Sequence, residues 1–247
     1  MHALAHCFVL LFLLAAPAAA REPLPAGFVY LRDIDPSIVQ DMRYATPNNF
    51  SGRPLPGYAA PECVLRRDMA QALARVQADL AASGLSLKVY DCYRPTRAVA
   101  AMARWAGDTS DESTRRFYPK LDKRNLFALG YIAAHSAHST GTAVDLTLVK
   151  RGTTAAPFDP RAHYGACTGS ATTRAPDDSI DMGTGFDCFD PKSFTANVAI
   201  NAEQRHGRDL LLAAMRKHGF RNYFREWWHF SYGAQPAHGY DFPIMPR

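Results

Sequence analysis

His138 and Asp145 stand seven residues apart in "HSAHSTGTAVDLTL" (135–148), with Gly141 between them to allow a tight reversal. Imidazole and carboxylate are donors that catalytic zinc accepts, three from the protein with a fourth position kept for water. The spacing suits a loop running into a strand, not two turns of one helix. His229, in "EWWHF" (226–230), offers a third donor from far along the chain. Glu226 precedes it by three residues, and a carboxylate beside an activated water is the general base that hydrolysis requires. On an unbroken strand Glu226 and His229 would face opposite sides, so this reading demands a turn or bulge at Trp227-Trp228. His135 rivals His138, because an i, i+3 pair shares a helix face. His163, His206, His218 and His238 have polar or helix-end surroundings and no comparable company. On spacing alone two readings stand side by side: a zinc hydrolase, or a core strand with a carboxylate at its rim.

Several elements must position these residues. "LRRDMAQALARVQADLAASG" places Leu65, Met69, Leu73, Val76 and Leu80 at helical intervals, with Gly84 as a stop. "LSLKVYDCY" alternates as a strand does until Arg94-Pro95 breaks it. "TRAVAAMARWA" reads as a short helix capped by Thr96. "TAVDLTLV" is a strand, and residues 150–191 are irregular, as long functional loops often are. "NAEQRHGRDLLLAAMRKHGF" is expected as a helix capped by Asn201, with Leu211, Leu212 and Met215 inward and Gly219 at its end. "EWWHFSY" reads as a strand, with Trp227 and Trp228 as walls of core and site. Helices and strands mix without strict alternation, which predicts an α+β domain with a central antiparallel sheet flanked by helices.

Residues 1–20, "MHALAHCFVLLFLLAAPAAA", pair a short apolar run with small residues spaced for cleavage at Ala18 and Ala20. They predict a signal peptide and an exported, periplasmic protein whose catalytic domain spans 21–247. Nothing later is apolar enough to span a bilayer, so no stable membrane insertion is expected after cleavage. Of 247 residues, 28 are Lys or Arg and 23 Asp or Glu, a net charge of +5. The basic residues are scattered, which excludes the stripe that a nucleic-acid partner needs. Four cysteines remain after the signal: Cys63, Cys92, Cys167 and Cys188. An even number in an oxidising compartment predicts disulfides. Cys63, at the expected start of the long helix, should meet Cys92 at the end of the strand that returns from it. Cys167 and Cys188 should close the irregular stretch as a ring of about 22 residues.

"SAHSTGTAVDLTL", "EWWHF", "VYDCYRP" and "DMGTGFD" together resemble the VanX-type D-alanyl-D-alanine dipeptidases. These zinc peptidases share their fold with bacterial D,D-carboxypeptidases and the Hedgehog signalling domain. The likeness runs from "RYATPNNFSGRPLPGY" to "YDFP". It implies one zinc per chain held by His138, Asp145 and His229, with Glu226 as the base; His135 falls where the family has no ligand. It implies that Arg94 of "DCYRP" meets the developing oxyanion, where a fixed guanidinium helps most as charge builds. Read without that company, Arg94 is one half of a structural salt bridge. The resemblance also implies that Tyr44 and Asp187 hold the substrate's amino end and that Ser136 lies near its carboxylate. The expected substrate is D-Ala-D-Ala, cleaved to D-alanine in cell-wall peptide turnover. A D,D- or L,D-carboxypeptidase acting on peptidoglycan peptides is the alternative enzyme, and a catalytically silent zinc-binding module the alternative of another class. The export signal and cysteines depart from the family's cytoplasmic resistance enzymes and fit its periplasmic members. The stretch from Arg151 to Asp181 is longer than the resemblance predicts.

Overall fold

The computed structural model describes residues 23–247, so the expected signal peptide lies outside the described residues. The chain runs β1 (Phe28–Tyr30), α1 (Leu31–Ile34), β2 (Val39–Gln40), β3 (Val64–Arg66), α2 (Arg67–Ala81), β4 (Leu85–Asp91) and α3 (Thr96–Gly107). It continues with β5 (Ala143–Lys150), α4 (Ala202–Lys217), β6 (Phe220–Asn222) and β7 (His229–Tyr232). Five strands form one sheet in the order β2-β4-β5-β7-β6, and β1 pairs with β3 apart from it. All neighbours in the large sheet are antiparallel except the two-residue edge strand β2, which runs parallel to β4. The expected α+β domain is present, with that parallel edge as the one departure.

The middle strand β5 is buried from Ala143 to Val149, which explains its near-continuous apolar run. Helices α2 and α4 touch each other and pack on β4, β5 and β6. In α2 the periodic residues Met69, Leu73, Val76 and Leu80 are buried, as their spacing predicts. Leu65 is not helical: it lies in β3 opposite Val29, so pairing with β1 overrides the helical period at that end. Thr96 does not cap α3 either. It is the first helical residue, and the carbonyl of Tyr240 and the carboxylate of Asp241 accept from the N–H groups of Thr96 and Arg97 at 3.0 and 2.8 Å. A segment near the end of the chain thus supplies the cap from a distance. Helix α4 does carry its expected cap, a reciprocal pair of bonds between Asn201 and Gln204. Leu211 and Met215 point into the core while Leu212 is only half-buried.

Both expected disulfides are present, with Cα separations of 5.3 Å for Cys63–Cys92 and 5.4 Å for Cys167–Cys188. Cys63 does not begin the helix; it precedes β3, which the Tyr93 N–H holds at the end of β4 through the Val64 carbonyl at 2.8 Å. The stretch 151–181 is irregular, and its anchor is Asp177. That carboxylate accepts from Arg43 at 2.7 Å, Tyr90 at 2.6 Å and Lys88 at 2.5 Å. Among the described residues no helix is long and apolar enough to cross a membrane.

Candidate metal centre and its cavity

Strand pairing lines up three functional side chains across the sheet. Asp91 of β4 pairs with Asp145 of β5, and Asp145 pairs with His229 of β7. Directly opposed residues share a face, so the three project to the same side. His138 joins them from the one-turn 3-10 helix Ala137–Thr140 that leads into β5. The Ser136 hydroxyl accepts from the His138 N–H at 3.3 Å and starts the turn. Gly141 ends it at φ +73°, where a Cβ would lie 2.3 Å from Phe28 Cε1. Only glycine fits both the backbone and the space.

The donor atoms converge. His138 Nε2 lies 3.2 Å from His229 Nδ1 and 3.3 Å from Asp145 Oδ1, and His229 Nδ1 lies 3.0 Å from that same oxygen. Donors on a tetrahedral ion with bonds of about 2.0–2.1 Å stand about 3.3 Å apart, so the triangle has the right size. The tautomer also fits. His138 Nδ1 donates to the Cys92 carbonyl at 2.7 Å, which leaves a lone pair on Nε2. That lone pair, a carboxylate oxygen and a second imidazole nitrogen face one point, which is the arrangement a bound cation needs. His138, Asp145 and His229 therefore form a possible metal site. Burial alone would raise the Asp145 carboxyl, but the two histidines hold it well below the usual range.

Glu226 reaches this centre because "EWWHF" is not a strand throughout. The chain turns between Glu226 and His229, whose N–H donates to the Glu226 carbonyl at 3.2 Å, and β7 begins only at His229. The turn demanded at the two tryptophans is thus present, and it brings Glu226 Oε2 within 3.7 Å of His229 Nδ1. It is held firmly: Trp227 Nε1 donates to Thr184 at 2.9 Å, and the Trp228 carbonyl accepts from Leu146 at 3.0 Å. Burial pushes the Glu226 carboxyl up to about 7; His229 opposes the rise and the Asp145 charge adds to it.

Arg94 is both a salt-bridge partner and a lining group of the site. Its Nε and Nη2 meet Asp91 Oδ2 at 2.9 and 2.8 Å, and Nη2 lies 3.5 Å from Asp145 Oδ2. The guanidinium sits 4.9 Å from the Tyr44 ring centroid. The Tyr44 hydroxyl donates to Asp187 at 3.0 and 3.1 Å. Asp187 adopts φ +56°, a left-handed conformation uncommon outside glycine, next to the Cys167–Cys188 bridge. Burial, then the nearby Asp145 charge, raises its carboxyl well above the usual range.

One cavity of about 220 Å³ is lined by all eight residues singled out: Tyr44, Arg94, Ser136, His138, Asp145, Asp187, Glu226 and His229. His135 reaches its wall but stands outside the metal cluster. No described residue of 151–181 lines it, so the long stretch does not cover the mouth. Sequence reasoning missed Asp91, which braces Arg94 and accepts from the Tyr58 hydroxyl at 2.6 Å. Its place three residues before Arg94 in "YDCYRP" was the available signal. The Cys92 carbonyl and the wall Tyr131–Ala133 left no signal, since neither role depends on a reactive side chain.

The profile of the family described as D-ala-D-ala dipeptidase matches residues 25–159 and 160–245. A D-alanyl-D-alanine dipeptidase of Streptomyces coelicolor is 34% identical over 228 residues, covering 90% of this chain and 100% of that protein. One of Enterococcus faecium is 32% identical over 221 residues, covering 88% of this chain and 98% of its own length. One of Escherichia coli is 29% identical over 202 residues, covering 82% of each. Matched along almost all of its described length, the chain belongs to the D-ala-D-ala dipeptidase family.

Proposed function

We propose that this protein is a periplasmic zinc dipeptidase that hydrolyses D-alanyl-D-alanine to two molecules of D-alanine during cell-wall peptide turnover. One observation carries the reading. A single small cavity holds the three metal donors, Glu226 with its carboxyl raised to about 7, the braced Arg94 and the Tyr44–Asp187 pair. A guanidinium and a carboxylate outside the metal donors, in one small cavity, suit a short molecule charged at both ends. His138, Asp145 and His229 are the residues that would hold the zinc. When bound, the ion supplies Lewis acidity, which acidifies water and polarises a carbonyl. Glu226 takes a proton from the attacking water and returns it to the leaving amine. Arg94 donates to the oxygen on which charge builds, and Asp91 keeps its guanidinium from turning away. Asp187 receives the substrate ammonium, whose charge favours the ionised carboxylate that burial otherwise opposes. Ser136 also lines the cavity and would meet the substrate's carboxylate end. The apolar run with its A-x-A ending and the two disulfides support export.

The test is cleavage of D-Ala-D-Ala beside its N-acetylated analogue by zinc-loaded protein. Rapid cleavage of the free dipeptide with little of the acetylated one is expected, since acetylation removes the ammonium that Asp187 would meet. Efficient cleavage of the acetylated compound would instead favour the carboxypeptidase. Absence of turnover on either, with zinc bound, would favour the silent module.

A further inference from the structure

Behind the Tyr44–Asp187 pair, on the far side of Phe186, lies a second cavity of about 40 Å³ that none of the roles above uses. Arg43, Arg116 and Arg174 line it, together with Asn48 and Asp177. The charges around it do not balance. Arg43 pairs with Asp41 at 2.8 Å and with Asp177 at 2.7 Å; Lys88 shares Asp177; Arg174 meets Asp181 at 2.6 Å. Arg116 has aromatic rings around it, Phe117 at 4.7 Å with Phe158 and Tyr164 beyond, and no carboxylate partner among the described residues. Four cations thus face three carboxylates. Two buried polar atoms of the lining residues, Arg174 Nη1 and Asn48 Oδ1, have no hydrogen-bond partner. The Asn48 amide, turned over, would present its N–H₂ instead. Water could take the Arg174 proton but could not offset the charge of the half-buried Arg116, which burial disfavours and no carboxylate offsets.

We propose that Arg43, Arg116 and Arg174 form a binding site for a small oxyanion, which accepts from Arg174 Nη1 and supplies the negative charge that Arg116 lacks. Guanidinium forks match the geometry of oxyanions better than that of a spherical halide. The cavity is larger than a single water needs, and it is separated from the metal centre by the packed rings of Phe186 and Tyr44. The site joins two parts of the chain that Asp177 also links: the segment around Arg43 and the irregular stretch carrying Arg174. Its occupant therefore acts as a tie between them.

Thermal unfolding in inorganic phosphate, against chloride at equal ionic strength, tests the site. A hundredfold excess over Kd should raise the midpoint by roughly 5 °C for a chain of this size. Oxyanions also stabilise proteins without binding, so the comparison must include variants. Arg116→Gln removes the unpaired charge, and Arg174→Lys keeps the pair with Asp181 but loses the free Nη1. Both should abolish the phosphate-specific shift while dipeptide turnover, which neither residue touches, reports that they fold. An equal shift in wild type and variants, or an equal effect of chloride, overturns the proposal. Should both variants fail to fold, crystals of the wild-type protein soaked in selenate decide it. An anomalous peak beside Arg174 Nη1 is expected, and water density there would refute the site.

Discussion

Glu226 combines a carboxyl raised to about 7 with a fixed place 3.7 Å from His229, so it can both take and return a proton near neutral pH. Replacing it by Gln keeps the volume and removes the base. Turnover of Glu226→Gln should fall about 10³-fold while the metal content per chain, measured by elemental analysis, stays at the wild-type level. His138→Ala should lose both turnover and metal. Retained turnover in Glu226→Gln would remove it from the role of base. Asp91 belongs to the same scale although it touches no substrate. It holds Arg94 at 2.8 Å, and this positioning works through geometry, not through its own chemistry.

At the scale of elements, the His138 turn and the Glu226–His229 turn do what regular strands cannot. Each ends a non-repetitive segment at the first residues of a central strand, so that a loop side chain and a strand side chain meet. Gly141 is the critical joint of the first turn, with positive φ and Phe28 pressed against it. Gly141→Ala should destabilise the protein by about 2 kcal/mol or more, measured by urea unfolding, and weaken metal binding as His138 shifts. Unchanged metal affinity would mean that the turn and the donor are uncoupled. Donor types, their spacing and the need for a break at Trp227-Trp228 were legible because each follows from local chemistry or from the two-residue period of a strand. The alignment of Asp91, Asp145 and His229 was not. It depends on which strands neighbour each other, and His229 is separated from Asp145 by 84 positions. Leu65 and Thr96 misled for the same reason: β1 claimed one, and the Tyr240–Asp241 segment took the capping role expected of the other.

At the scale of the whole molecule, Asp177 ties the irregular stretch to β4 and to the segment around Arg43. Burial opposes its charge, but Arg43 and Lys88 hold its carboxyl well below the usual range. The folded value therefore lies below the unfolded one of about 3.9. Stability from this group is complete above the unfolded value and drains away as pH falls toward the folded one. Asp177→Asn should lose about 3–5 kcal/mol at neutral pH, because two buried cations lose a partner. It should also show a flatter decline of the urea midpoint below about pH 4 than the wild type does. Parallel declines would place the acid sensitivity elsewhere.

The order of the site residues along the chain has a consequence for how the protein can be cut. Tyr44, Arg94, Ser136, His138 and Asp145 precede the irregular stretch, whereas Asp187, Glu226 and His229 follow it. The family match itself divides between residues 159 and 160. Near that point the backbone is largely exposed and lines no part of the metal cavity. Cys63–Cys92 closes before a break there and Cys167–Cys188 after it, so no disulfide spans it. A protease nick between residues 154 and 160 should thus leave the enzyme assembled, held by the pairing of β5 with β7. The separated pieces should be inert, since neither contains both histidines. Mixed or co-expressed, they should regain activity by fragment complementation, with the metal binding only where the halves join.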